Sequence, residues 1–176
     1  SLSRRQRQMC IRDSIYTILF FMLDNMEFYL DVENIYLIAN WGVVPFWLLL
    51  IFAPDSKLTK FFVYSVVTPL LLSTAYIFIG YKIYLEGEIF GAFGLYNGLE
   101  DLYAVFSNEN FLLIFWLHFL SISLFVGSWI ARDSLRYSVP KIILVISLTI
   151  TYFSGPVGIL IYWFFRIFFA KKISLN

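Results

Sequence analysis

His118 is the only histidine of the chain, and it lies within a long apolar segment. Histidine titrates near neutral pH, so it could act as a general acid or base on a lipophilic substrate. At helical spacing it shares one face with Ser121, Phe125, Ser128 and Arg132. His118 could instead form a hydrogen bond across a helical bundle and serve packing alone. The residue type and position leave both interpretations open.

Charged residues flank this segment on both sides. Glu100 and Asp101 precede it, and a carboxylate there could fold back toward a bundle of helices or simply form a solvated helix face. Arg132, Asp133 and Arg136 follow it and could bind lipid headgroups or the polar end of a substrate. The alternative is that they serve only as interfacial anchors.

Several function classes are excluded by residue type. With one cysteine and one histidine, the chain cannot form a disulfide framework or a metal site of clustered histidines and cysteines. The net charge of +1 and the lack of a basic stripe give no support to nucleic-acid binding. No glycine-rich loop opens a helix after a strand, so nucleotide binding is not indicated either. We therefore expect no cofactor and no metal.

The elements that must position these side chains follow from the hydropathy of the chain. Hydrophobic residues make up 60% of it and charged residues only 14%, against about 25% charged in soluble domains. A membrane-crossing helix needs about 20 mostly apolar residues. The sequence therefore predicts an all-α integral membrane protein with four transmembrane helices and a short interfacial helix between the second and third. The predicted spans cover residues 35–53, 61–85, 111–130 and 142–165.

Two details of the fourth span affect the predicted topology. Ser154, Gly155 and Pro156 interrupt it, and we interpret them as a kink rather than a re-entrant hairpin. Basic residues of short loops favour the cytoplasm. The loops around residues 57–60 and 132–141 would thus be cytoplasmic, and the acidic loop 86–110 would lie outside. With four crossings, the basic tail that contains Arg166 and Lys171 would also lie outside, which contradicts this charge rule. Arg166 is expected to extend its side chain toward the interface.

The first residues are treated separately. Residues 1–14 read SLSRRQRQMCIRDS, which looks like translated sequencing-adapter read-through. Segments of foreign origin do not contribute to a fold. We expect residues 1–25 to be non-native or disordered and residues 26–172 to form a single transmembrane domain.

Motifs in order along the chain resemble a known family, the small membrane proteins named for abscisic acid deficiency, which has plastid members and bacterial relatives. They are IAN at 38–40, PFWLLL at 45–50, AP at 53–54, the segment 98–106, WLH at 116–118, LFVG at 124–127, WIARD at 129–133 and GPVG at 155–158. The resemblance implies four spans and a role in carotenoid metabolism, since the plant members are required to make neoxanthin from violaxanthin. It implies an acid that opens an epoxide and a base that removes a nearby proton. His118 would take one role and Glu100 or Asp133 the other.

The expected substrate contacts are Asn40, Trp47, Trp116, Ser121, Arg132 and Pro156. For Asn40 the alternative is interhelical packing, and for the tryptophans it is a place in the aromatic belts of the membrane. One departure is Ser123, where the family usually has an aspartate, and this puts a shared substrate in doubt. The interpretation that follows is a membrane-embedded protein of carotenoid or isoprenoid metabolism in a bacterial inner membrane, with isomerisation as its candidate activity. A non-catalytic pigment-binding or scaffold protein is the alternative, with membrane lipid, a homo-oligomer or other membrane enzymes as partners.

Overall fold

The computed structural model describes residues 31–65, 67–87 and 89–171. Within these ranges the chain is helical and contains no strand, which confirms the all-α part of the predicted fold class. The expectation about residues 1–25 lies outside the described residues. The helices are α1 Val32–Gly42, α2 Val44–Phe52, α3 Lys57–Phe62, α4 Val67–Leu85, a 3₁₀ helix Ile89–Tyr96, α5 Leu99–Phe106, α6 Glu109–Tyr137, α7 Lys141–Ser154 and α8 Pro156–Ala170.

Within the described part of the chain, two stretches are long and apolar enough to cross a membrane, namely α1 with α2 (Val32–Phe52) and α6. The first bends at Val43, whose helical backbone links the two helices, and Pro45 next to the bend cannot donate a backbone hydrogen bond. Helix α6 begins where the Asn108 side chain accepts a hydrogen bond from the Asn110 amide at 2.9 Å. It ends at Ser138, which has a left-handed backbone.

The direction of each helix follows from its contacts with α6. Tyr36 lies beside Trp116, with ring centroids 6.1 Å apart, and Trp47 packs on Gly127 eleven residues further along. The rod α1–α2 is therefore parallel to α6. Helix α4 is antiparallel to α6, because Tyr76 faces His118 while the later residue Gly80 faces the earlier residue Ile114. The predicted second span starts late, since Phe61 and Phe62 belong to α3 and α4 begins only at Val67.

The predicted kink in the fourth span is wrong, because α7 and α8 form a helical hairpin. Gly155 joins them with φ 52° and ψ −91°, a backbone that cannot continue a helix. Beyond it, Gly158 packs on the backbone of α7, and a β-carbon there would lie 2.6 Å from the Ser147 carbonyl oxygen. In one continuous helix these two residues would be about 16 Å apart. The small residues Ser147, Thr151 and Gly158 permit this close approach of the two arms of the hairpin.

The hairpin starts from the C-terminal end of α6 and returns to it. At the turn, Gly155 lies next to Phe119 and Ser123 in the middle of α6. On the way back, Tyr162 and Arg166 both bond Asp133, close to the end of α6. The arms contain 14 and 15 residues, so each is about 22 Å long and shorter than a hydrocarbon core of about 30 Å.

Charge is divided between the two ends of this bundle. We call the end near Val32 and Glu109 the acidic end, and the end near Tyr137 the basic end. Among described residues, the acidic end carries Asp31, Glu33, Glu86, Glu100, Asp101 and Glu109 with one lysine, Lys82. The basic end carries Lys57, Lys60, Arg132, Arg136, Lys141, Arg166 and Lys171 with two aspartates, Asp55 and Asp133. The hairpin thus brings the basic tail to the same end as the basic loops, and the conflict of the four-span prediction disappears.

The loop at the acidic end contains the predicted short helix, α5. Leu99 and Tyr103 are exposed, whereas Leu102 and Phe106 are half-buried. The Phe106 ring packs edge-on against Phe115 of α6, with centroids 5.0 Å apart. This contact attaches α5 to the bundle with a partly exposed apolar face, as expected of an interfacial helix.

Candidate functional site

A groove runs along the outside of the bundle between α4 and α6. It consists of two adjoining cavities of about 140 and 300 Å³ that share Leu72 and Ser121. We call it the His118–Arg132 groove, after the residues at its ends. The other lining residues are Val63, Tyr64, Ser65, Ser73, Tyr76, Leu117, Leu124, Phe125 and Ser128. The whole predicted helix face, from His118 to Arg132, therefore lines one groove.

At one end of the groove, His118 is paired with a residue that the sequence analysis did not single out. The ring centroids of His118 and Tyr76 are 6.3 Å apart and the rings are inclined at 49°. Both side chains are exposed at the surface of the bundle. Finding this pair from sequence would require the register of α4 against α6, which neither helix specifies alone.

The other end of the groove is formed by Arg132 and Tyr64. The guanidinium carbon lies 5.6 Å from the centroid of the Tyr64 ring, and Nε donates to the Ser128 carbonyl oxygen at 3.4 Å. Tyr64, in the bend between α3 and α4, donates its hydroxyl hydrogen to the Pro54 carbonyl oxygen at 2.8 Å. Burial raises the pKa of Tyr64 to about 12, which keeps this hydroxyl protonated and able to donate.

Asp133 is directed away from the groove into a buried ion pair. Its Oδ2 accepts from Arg166 Nε at 2.5 Å and from the Tyr162 hydroxyl at 2.7 Å. The guanidinium of Arg166 also lies 4.7 Å from the Tyr137 ring centroid. Arg166 is fully buried, so the expectation that it extends to the interface is wrong. Asp133 lies about 22 Å along α6 from His118, too far for proton transfer within one site.

Glu100 is likewise not brought to His118. It is exposed in the first turn of α5 at the acidic end, where a carboxylate stabilises the helix terminus. Neither of the two predicted carboxylate partners of His118 therefore lines the groove. Tyr76 is the titratable side chain that the structure places beside it.

The six predicted substrate contacts are dispersed. Ser121 and Arg132 line the groove. Trp47 is buried and packs against Gly127, where a β-carbon would lie 2.7 Å from its ring, so Trp47 holds α2 to α6. Asn40 is half-buried on α1.

The remaining two contacts lie elsewhere. Trp116 lines a separate cavity of about 520 Å³ between the N-terminal parts of α1 and α6. Its Nε1 is buried and has no hydrogen-bond partner among the residues that the structure describes. Pro156 is exposed at the tip of the hairpin. Ser123 of α6 lies beside this tip and is buried. Its hydroxyl oxygen is 3.8 Å from a β-carbon built on Gly155, and the residue does not line the groove. Across the described ranges, no three histidine, cysteine or acidic side chains cluster as metal ligands would.

Comparison with known proteins gives two matches. The profile of a family described as ABA DEFICIENT 4-like matches residues 34–162. Protein ABA DEFICIENT 4, chloroplastic, from Arabidopsis thaliana is 24% identical over 107 residues, which is 59% of this chain and 49% of that protein. The chain thus spans about half the length of this relative. No solved structure matches the chain.

Proposed function

Because the chain belongs to the ABA DEFICIENT 4-like family, we propose that it is a membrane-embedded protein of carotenoid metabolism that binds an elongated isoprenoid lipid in the His118–Arg132 groove. The observation that carries the proposal is the groove itself. Most of its surface is apolar and includes Leu72, Leu124 and Phe125, and its larger polar groups lie in pairs at the two ends, with serine hydroxyls between them. Lipid sites combine such apolar walls with a few placed polar groups.

The charge division supports one arrangement in the bilayer. Val32–Phe52, α4 and α6 would cross the membrane, and the α7–α8 hairpin would enter from the basic end and return to it. Helix α4 has 19 residues, or about 28 Å, close to the hydrocarbon thickness. Lysine and arginine favour the cytoplasmic side, so the basic end would be cytoplasmic. Gly155 itself is buried beside Phe119 and Ser123, which fits this arrangement, because non-helical backbone is tolerated at membrane depth where protein covers it.

The groove also offers a pair of groups for proton transfer. Opening an epoxide with loss of a neighbouring proton needs one proton donated to the oxygen and one removed from carbon, so atoms balance without a redox step. Tyr76 would donate the proton of its phenol to the epoxide oxygen, and neutral His118 would accept the proton from carbon. In this proposal Tyr76 replaces Glu100 and Asp133 as the partner of His118.

The test is a pigment profile in a bacterial host that makes violaxanthin. We expect the full chain to yield a new isomer, separable by chromatography, that His118→Ala abolishes. Tyr76→Phe should lower the yield by about 100-fold, since positioned acid or base groups contribute at least that much. Tyr81→Phe is the matched control, because Tyr81 is an exposed tyrosine of α4 outside the groove. An unchanged profile with the protein present in the membrane would contradict the catalytic part of the proposal.

One observation favours the alternative of a non-catalytic pigment-binding or scaffold protein. Among the described residues, no carboxylate lines the groove, and His118 is exposed. A binding protein would retain violaxanthin unchanged through purification, and His118→Ala would not alter the amount retained.

A further inference from the structure

We propose that Arg132 determines specificity by binding an oxygen on the end of the lipid that is remote from His118. The inference rests on the proposed function, because it assumes that an elongated lipid lies in the groove. It adds a direction for the bound lipid and a requirement for a polar group at each of its ends.

The spacing of the polar groups carries the first step. His118 and Arg132 are 14 residues apart on α6 and therefore about 21 Å apart along its axis. Between them the groove is lined by Leu72, Leu124 and Phe125 and by two serines, Ser121 and Ser128. The Ser128 hydroxyl donates to the Phe125 carbonyl oxygen at 2.8 Å, so the apolar side chains offer most of the free surface of this stretch. A lipid with its reactive group at His118 would thus present its opposite end to Arg132 only if it is long and apolar in the middle.

The hydrogen-bonding state of Arg132 carries the second step. Nε donates to Ser128, and the Tyr64 ring lies against the guanidinium, so the side chain is held in place. Within the part of the chain that the structure describes, nothing accepts a hydrogen bond from its two terminal nitrogens. A guanidinium fixed in this way can donate to a hydroxyl, carbonyl or epoxide oxygen. Arg166 differs, because Asp133 neutralises it.

Arg136 supplies a control on the same helix. It is exposed near the end of α6, and its guanidinium lies 5.3 Å from the Tyr137 ring, but it does not line the groove. Replacing either arginine with methionine keeps a long apolar stem and removes every donor. Only the Arg132 change should affect recognition of an end group.

The experiment measures dissociation constants of three carotenoids with the purified full chain in phosphatidylcholine nanodiscs. Zeaxanthin has a hydroxyl on each end ring, β-cryptoxanthin has one and β-carotene has none. We expect affinity to fall in that order. Arg132→Met should raise the dissociation constant of zeaxanthin about tenfold, as expected for the loss of a hydrogen bond from a charged donor. It should leave the dissociation constant of β-carotene unchanged. Arg136→Met should resemble the unaltered protein.

Unchanged β-carotene binding also serves as the check that Arg132→Met is folded. Equal weakening of all three pigments, or the same effect from Arg136→Met, would overturn the role of Arg132. Equal affinity of the unaltered protein for all three would overturn the requirement for polar ends while keeping the proposed binding function. Failure of the unaltered protein to bind any of them would refute the proposed function itself.

Discussion

The buried ion pair between Asp133 and Arg166 makes a quantitative prediction about the hairpin. Asp133→Asn keeps the size of the side chain but leaves the fully buried guanidinium of Arg166 without a counter-charge. Removing one partner of a buried pair costs about 3–5 kcal/mol of unfolding free energy. Tyr162→Phe deletes only the hydrogen bond to Asp133 and should cost about 1.5–3 kcal/mol.

The double change Asp133→Leu with Arg166→Met tests the coupling between the two charges. It removes both charges and replaces them with apolar groups, so it should be much less destabilising than Asp133→Asn alone. The measurement is denaturant-induced unfolding of the purified chain in detergent micelles.

The pair of Asp55 and Lys60 is the control for these measurements. Their charged atoms are 2.7 Å apart, but the side chains are 74% and 57% exposed. Asp55→Asn should therefore change stability by no more than about 1 kcal/mol. Two results would show that the buried pair does not hold α8 to α6. Asp133→Asn could lower stability no more than Asp55→Asn does, or the loss of stability in the double variant could equal the summed losses of the single variants Asp133→Leu and Arg166→Met.

Three further predictions concern packing and topology. Gly158→Ala should destabilise the chain by about 1–3 kcal/mol, because its β-carbon would meet the backbone of α7. Gly42→Ala is the control and should have little effect, since no atom lies within 4 Å of a β-carbon built there. Thermal unfolding measures both variants, and equal midpoints would contradict the close approach. Gly127→Ala should be destabilising for the same reason, since a β-carbon would lie 2.7 Å from a tryptophan ring, and unfolding like that of Gly42→Ala would refute it. In a chain whose Cys10 is replaced by serine, Lys171→Cys and Glu100→Cys should react with a membrane-impermeant thiol reagent from opposite sides, whereas a fourth crossing would put them on the same side.

The predicted helix face shows how far the sequence could guide the site. His118, Ser121, Ser128 and Arg132 follow one another at three-four spacing, and this periodicity alone determines that they share a side of α6. That side faces α4 in the structure, and its residues line one groove. Tyr76 could not be found in this way, because its position beside His118 depends on how two separate helices are aligned.

The hairpin marks the limit of hydropathy analysis. Residues 142–165 are as apolar as a crossing helix, and a kink and a reversal at Gly155 have the same composition. The reversal follows from contacts between distant residues, namely Gly158 with Ser147 and Arg166 with Asp133. A pattern that extends along one segment contains no information about such partners.

The sequence by itself determined the helical class, the family and the shared face of α6, because all of these depend on neighbouring residues and local periodicity. Tertiary structure alone decided that the last apolar segment turns back, that Arg166 is buried against Asp133, and that His118 meets Tyr76. The physical reason is that burial and pairing of polar groups depend on which surfaces meet. A buried charge is tolerated only where a partner from another helix neutralises it, and that partner is fixed by packing rather than by distance along the chain.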